Sequence, residues 1–296
     1  MDNDVLVQYK NKLVEVMKSF DRFCTDNQLQ YFASSGTAIG AIRHKGFIPW
    51  DDDIDVYMPR ADYNRLMQLR KTLSGSGYAI KDLGDNEYVY AFAKYYDANT
   101  TLIETKEFPK CIIGVYIDIF PLDEVFGSYE EISRKKTEYS AAYRMYQDTF
   151  IKVTPRMFLS YFYHRNFTRF LELFRAVFFT EKKKADIRSK FCQLEKQWSK
   201  EHGKLLLTHS CIYPLERELF QKEWFSDYVY VPFENIEIRL PKEYDHYLTH
   251  LFGDYMTPPP AEKQVSTHSH YYLNFREQLS YREIKKRLSI GETLVL

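Results

Sequence analysis

The sequence predicts an α/β protein of the α+β kind, carrying a helical insertion. Three observations predict it. Residues 1–125 alternate helical spacing with short runs of period two, the texture changes to long helix-like stretches at 130–204, and strand candidates with a capped helix return afterwards. The chain divides accordingly into a core unit at 1–125, a helical insertion or subdomain at 126–212, and a C-terminal part at 213–296.

Between residues 5 and 24, Val5, Leu6, Tyr9, Leu13, Val16, Met17, Phe20 and Phe23 recur at helical spacing and predict an amphipathic opening helix. Tyr31–Ala33 reads as a short strand, Gly36-Thr37 opens a short helix over Ala38–Arg43, and a polar loop with Gly46 and Pro49 follows. Residues 53–58 alternate acid and apolar, which is the period of a strand with one wet or functional face, and Pro59 ends it. A helix over Ala61–Lys71 and strands over Tyr88–Tyr96 and Val115–Phe120 come next, the last stopped by Pro121. Downstream, strands are expected at Tyr228–Val231 and Ile236–Leu240, then a helix over Lys242–Phe252 closed by Gly253. The triple proline 258–260 and the polar tail with His268 and His270 predict an extended segment wrapping over an earlier surface.

Lys+Arg and Asp+Glu both number 41 in 296 residues, so no basic excess points to a nucleic-acid partner. Cys24, Cys111, Cys192 and Cys211 are scattered without a CxxC pair, which argues for reduced thiols over a zinc site or a disulfide framework. The acidic, interrupted N-terminus reads as neither a signal peptide nor a spanning helix, and the expected location is the cytoplasm, with the inner face of a membrane open to it. Residues 157–179 mix aromatics and arginines densely. A peripheral membrane helix and an ordinary packed helix pair both fit that mixture.

Asp51, Asp52, Asp53 and Asp55 crowd five positions of an otherwise apolar stretch. Residues two apart on a strand share a face with Cα atoms about 6.6 Å apart, so Asp53 and Asp55 can converge on one cation. Hard oxygen ligands suit Mg2+ or Mn2+, which keep waters and take substrate phosphates as further ligands. Asp51 shares that face at the loop end, and Asp52 is expected to point away. Asp118 interrupts the apolar run Val115–Phe120, where an unpaired charge is costly, and is a candidate third ligand or general base. A solvated turn is the bland reading of such acids, but the flanks carry phosphate chemistry. Gly36 and Thr37 lie at a strand-to-helix turn whose N–H groups can meet a phosphate, and Arg43, Lys45 and Lys94 supply positive charge. His44, His268 and His270 receive no proton-transfer role.

The run SSGTAIGAIRHKGFIPWDDDIDVYMPRADY resembles the signature of the LicD family, which includes fukutin-related glycan phosphotransferases. The likeness continues in Ala93-Lys94, in Tyr116–Asp123, and from Pro241-Lys242-Glu243-Tyr244 through Leu251–Met256, so that it spans residues 20–125 and 215–270. It implies a nucleotidyltransferase-like fold, a mixed sheet flanked by helices. Carried over by position, Gly36 and Thr37 fall on the phosphate-side turn, Asp53 and Asp55 on the metal pair, Asp118 on the acid of the neighbouring strand, and Lys94 on a matching cation. Arg43, Asp51 and Asp123 match less securely.

The chemistry implied is transfer of phosphocholine from CDP-choline to a hydroxyl of lipopolysaccharide, teichoic acid or another surface or lipid-linked glycan. Eukaryotic relatives use CDP-ribitol. The expected donor is therefore a CDP-alcohol, with CDP-choline first. Two rivals stay open: a nucleotidyltransferase acting on a nucleoside triphosphate, and a catalytically silent glycan- or membrane-associated binding module.

Overall fold

The computed structural model describes residues 3–151, 153–200, 202–210, 213–266 and 270–295, so Cys211 and His268 lie outside the described residues. In α1 (Asn3–Asp26), Val5, Tyr9, Leu13, Val16, Phe20 and Cys24 share a buried stripe, as their three- and four-residue spacing requires. The chain continues through β1 (Phe32–Ala33), α2 (Ser35–His44), β2 (Asp55–Pro59), α3 (Arg60–Leu69), β3 (Tyr78–Lys81), β4 (Ala93–Asp97), β5 (Thr101–Ile103) and β6 (Tyr116–Val125). The helices α4 (Tyr129–Asp148), α5 (Pro155–Tyr163), α6 (Phe167–Val177) and α7 (Glu181–Trp198) follow. Then come β7 (Leu205–Leu207), α8 (Leu215–Glu218), β8 (Phe220–Gln221), β9 (Tyr228–Phe233), β10 (Ile236–Pro241) and α9 (Tyr244–Phe252). The chain closes with β11 (Tyr272–Asn274), α10 (Tyr281–Ser289) and β12 (Leu294–Val295).

The central sheet runs β1-β2-β6-β4-β3, with β7 and β8 added beside the far half of β6. β2 and β6 are parallel, and the other pairs are antiparallel. This is the mixed α/β sheet flanked by helices that the sequence predicts. β9 and β10 form a separate hairpin, and β11 joins β5 to β12 in a small third sheet.

Two expected strands are corrected. Residues 88–92 are irregular, and pairing starts only at Ala93. β6 does not stop at Pro121 but runs on to Val125. On one side it pairs with β4 up to Ile119 and takes up β7 only from Asp123, so the N–H that proline lacks falls in the gap between partners. Gly253 closes α9 as expected, with φ +74° and its N–H donating to Thr249 O at 2.8 Å.

One face of the sheet meets α1, where Ser19 Oγ and Tyr95 OH are 2.8 Å apart and the Phe20 ring packs on Tyr95. On the other face Tyr57 packs against Phe120, Phe220, Phe225 and Tyr247. The helical segment is bolted to this core. Arg60 of α3 holds Asp123 of β6 through two bonds of 2.6 and 2.7 Å and Glu195 of α7 at 2.7 Å, while Tyr139 of α4 donates to Glu195 at 2.8 Å. Around that network Tyr139, Tyr146, Phe191 and Trp198 form an aromatic core between α4 and α7. No helix among the described residues is long and apolar enough to cross a membrane.

Candidate active site

Strand register builds the site. Asp118 of β6 stands opposite Asp55 in β2 and opposite Lys94 in β4, so the three side chains form a row across adjacent strands on one face. Lys94, 1% exposed, donates to Asp118 Oδ1 at 2.5 Å and to Glu104 Oε1 at 3.0 Å. Its ammonium lies 3.5 Å from the centre of the Tyr116 ring and 4.4 Å from that of Tyr90. Tyr90 OH in turn donates to Glu104. Lys94 is therefore buried among its partners and acts on anything outside through Asp118.

At the other end of the row, the Ser34 N–H donates to Asp55 O at 2.9 Å, one step beyond the Ala33–Val56 pair. Thr37 Oγ1 accepts the Asp55 N–H at 2.9 Å, which fixes the mouth of β2 against the start of α2. Ser34 is the N-cap of α2 but makes no side-chain cap bond. Its hydroxyl is buried and finds no hydrogen-bond partner among the described residues. Ser35 holds φ +46°, a conformation uncommon for a non-glycine residue and one often found at functional turns. Its N–H is pinned by Tyr247 OH of α9 at 2.9 Å. Gly36 lies against the acids: a Cβ there would meet the Asp51 carboxylate, which would have to shift.

The electrostatics follow from the crowding. Burial pushes the Asp55 carboxyl well above the usual range, and the charges of Asp53, Asp118 and Asp51 push it further, with Lys94 pulling back. Burial holds the Lys94 ammonium below its ordinary value against the pull of Asp118. Tyr9 of α1, buried, is raised by burial and then by Glu104, Asp52, Asp53 and Asp118, which places it in the field of the same acids.

The structure thus brings Gly36, Thr37, Asp51, Asp55, Asp118 and Lys94 together. Asp53 precedes β2 rather than lying in it, yet is the foremost charge acting on Asp55. Arg43 and Lys45 stand at the opposite end of α2, and seven helical residues at 1.5 Å each put about 10 Å between Gly36 and Arg43. Arg43 donates to Tyr255 O at 2.7 Å and to His44 Nε2 at 2.9 Å. Burial and then the Arg43 charge lower the His44 pKa. Asp123 lies five residues from Asp118, hence on the opposite face, in the Arg60 network. The tail does fold back as expected: Ser266 Oγ donates to Asp52 Oδ1 at 2.9 Å, and the His270 ring sits 4.6 Å from that of Tyr9.

Ser34, Glu104 and Tyr9 were not legible as site residues. Only tertiary contact reveals them: Ser34 meets Asp55 across the edge of β2, Glu104 reaches the row through Lys94, and Tyr9 of α1 lies in the field of the same acids. Among the described residues no group of three or more Asp, Glu, His or Cys side chains is placed to hold a metal ion as it stands. The donor set is instead an open edge of hard carboxylate oxygens, which fits an ion that keeps waters and takes phosphate oxygens. The unpartnered Ser34 hydroxyl at the same edge also suits an oxygen-rich ligand.

The mixed sheet flanked by helices carries its acid row at the mouth of a strand-to-helix turn. The family model of the LicD/FKTN/FKRP nucleotidyltransferase domain matches residues 28–163, which include every member of the row. Over that span the chain is similar to the LicD family. It is 27% identical over 264 residues to the lipopolysaccharide cholinephosphotransferase LicD of Haemophilus influenzae, covering 86% of this chain and 92% of that one. An uncharacterized protein of Rickettsia typhi is 28% identical over 141 residues, 43% of this chain and 45% of its own.

Proposed function

We propose that this chain is a transferase that moves a phosphorylated alcohol, phosphocholine foremost, from a CDP-alcohol donor to a hydroxyl of a cell-surface glycan, lipopolysaccharide foremost. The observation that carries the reading is the row Asp55–Asp118–Lys94 set beside the N-terminus of α2. The relative named as a cholinephosphotransferase, matched along most of both chains, supports the choice of alcohol.

Asp53 and Asp55, with Asp118, would hold Mg2+ or Mn2+. When bound, such an ion supplies positive charge to the diphosphate and to the departing CMP. The N–H groups of Gly36 and Thr37 open α2 and face the donor phosphates, where the helix terminus favours anions. Thr37 Oγ1 holds the backbone of Asp55 in place. Lys94 occupies one oxygen of Asp118 and so orients the other. Arg43 and Lys45, at the far end of α2, serve parts of the substrates beyond the diphosphate.

The test is CMP release from a panel of CDP-alcohols with Mg2+ or Mn2+ and a glycan extract, comparing wild type with Asp53→Asn and Asp55→Asn. Loss of a preorganised charge at a transferring phosphoryl group costs about 10²–10³ in kcat. Full activity in either variant removes the reading. Pyrophosphate release from a triphosphate, without CMP from any CDP-alcohol, would assign nucleotidyl transfer instead.

A further inference from the structure

The segment 155–184 departs from the rest of the chain in charge and exposure at once. It holds seven Lys and Arg against two Asp and Glu, an excess of five, while the whole chain balances 41 against 41. On α5 and α6 the side chains of Leu159, Phe162, Tyr163, Phe167, Phe174 and Phe178 are each more than half exposed, Tyr163 by 82%. Phe167, Leu171, Phe174 and Phe178 follow one another at steps of four, three and four, so they occupy one side of α6 and its end.

This face is held in a defined shape. Leu173 and Ala176 turn the other side of α6 into the protein, and Arg169 clasps Asp148 of α4 with bonds of 2.8 and 2.5 Å. The rings of Phe158 and Phe170 lie 5.5 Å apart, and those of Phe162 and Phe167 lie 5.9 Å apart, which ties α5 to α6. On the same segment Arg156, Arg165, Arg175, Lys182 and Lys183 are exposed.

We propose that the α5–α6 hairpin seats this protein on an anionic lipid surface, its aromatic side entering the interface and its bases meeting the headgroups. An exposed apolar face accompanied by Arg and Lys is the composition of helices that lie in a membrane interface without crossing it. A second copy of the chain is the poorer occupant. A two-fold contact would press an excess of five positive charges against its own image, at separations shorter than the screening length. Each base near an anionic surface strengthens partitioning about 5-fold, so charge and apolar burial act together.

The full chain is sedimented with vesicles of phosphatidylcholine alone and with vesicles containing phosphatidylglycerol. Binding is expected to the second set, falling as salt rises. Phe162→Ser with Phe178→Ser, and separately Arg165→Glu with Lys182→Glu and Lys183→Glu, should each weaken it about 10-fold or more while circular dichroism shows the fold retained. Tyr163→Trp gives an independent readout, since the hairpin contains no tryptophan: its emission should shift to the blue and be quenched by brominated lipid. Absence of binding by the wild type, or unchanged binding by both sets of variants, overturns the proposal. So does a concentration-dependent dimer that the Phe162→Ser/Phe178→Ser protein loses, which would give this face to a second copy.

Discussion

Replacing Lys94 by Met keeps the length of the buried stem and removes only the ammonium. That ammonium is 2.5 Å from Asp118, 3.0 Å from Glu104 and packed on the Tyr116 ring, with the side chain 1% exposed. Removing one partner of a buried ion pair costs about 3–5 kcal/mol, because the carboxylates left behind lose their compensation. Here Asp118 would also face Asp55 without the cation on its other side that offsets their repulsion. In a chain of this size each kcal/mol moves the melting temperature by about 2–4 °C, so Lys94→Met should melt roughly 10 °C lower. Urea unfolding followed by circular dichroism gives the free energies. The double variant Lys94→Met/Asp118→Asn is expected to recover part of the loss, with a coupling of at least about 2 kcal/mol in the double-mutant cycle. A single variant within about 1 kcal/mol of wild type, or a cycle without coupling, would refute the claim that Lys94 neutralises the row.

Ser34→Ala deletes a buried hydroxyl without a hydrogen-bond partner among the described residues, so it should leave stability unchanged or slightly raised while weakening donor binding about 10-fold. Matching urea midpoints alongside an unchanged KM for the donor would show that Ser34 is packing alone. Asp82 tests the sign of burial elsewhere: burial pushes its carboxyl up, and the Tyr63 hydroxyl, donating to it at 2.5 Å, pulls it back. A folded pKa above the unfolded one means that the folded state holds the extra proton. Stability should therefore fall as pH rises from about 4 through the raised value, and Asp82→Asn should flatten that slope. Urea midpoints between pH 4 and 8 measure it, and an identical slope in the variant sinks the assignment.

The sequence marks Asp55 and Asp118 because an acid inside an apolar run is costly wherever it lands. It does not say that they stand side by side with Lys94, since that adjacency is a matter of register between strands sixty residues apart. Arg43 and Lys45 mislead in the opposite direction. They are near Gly36 in sequence, yet α2 carries them a helix length away. Pro121 reads as a stop because proline usually ends pairing, and only the change of partner from β4 to β7 shows why it is harmless within β6. In α5 and α6, apolar residues on most faces concealed which face is covered, and the exposure of Phe162 and Phe178 resolves it.

The acid row sets stability and ligand affinity against each other, and Asp55 separates the two. Its charge is opposed by burial and by Asp53, Asp118 and Asp51, so neutralising it relieves repulsion that Lys94 offsets only in part. If the acids served the fold, Asp55→Asn would cost stability, as loss of a satisfied buried carboxylate does. If they are held together for a cation and a diphosphate, the same substitution should raise the stability of the ligand-free protein by about 0.5–2 kcal/mol. It should also abolish any rise in melting temperature that Mn2+ gives the wild type, because a ligand stabilises only through the state that binds it. Thermal scans of both proteins with and without Mn2+ decide the matter. A destabilised Asp55→Asn protein that keeps the Mn2+ shift would mean that Asp55 is structural and that the cation, if bound, is held elsewhere.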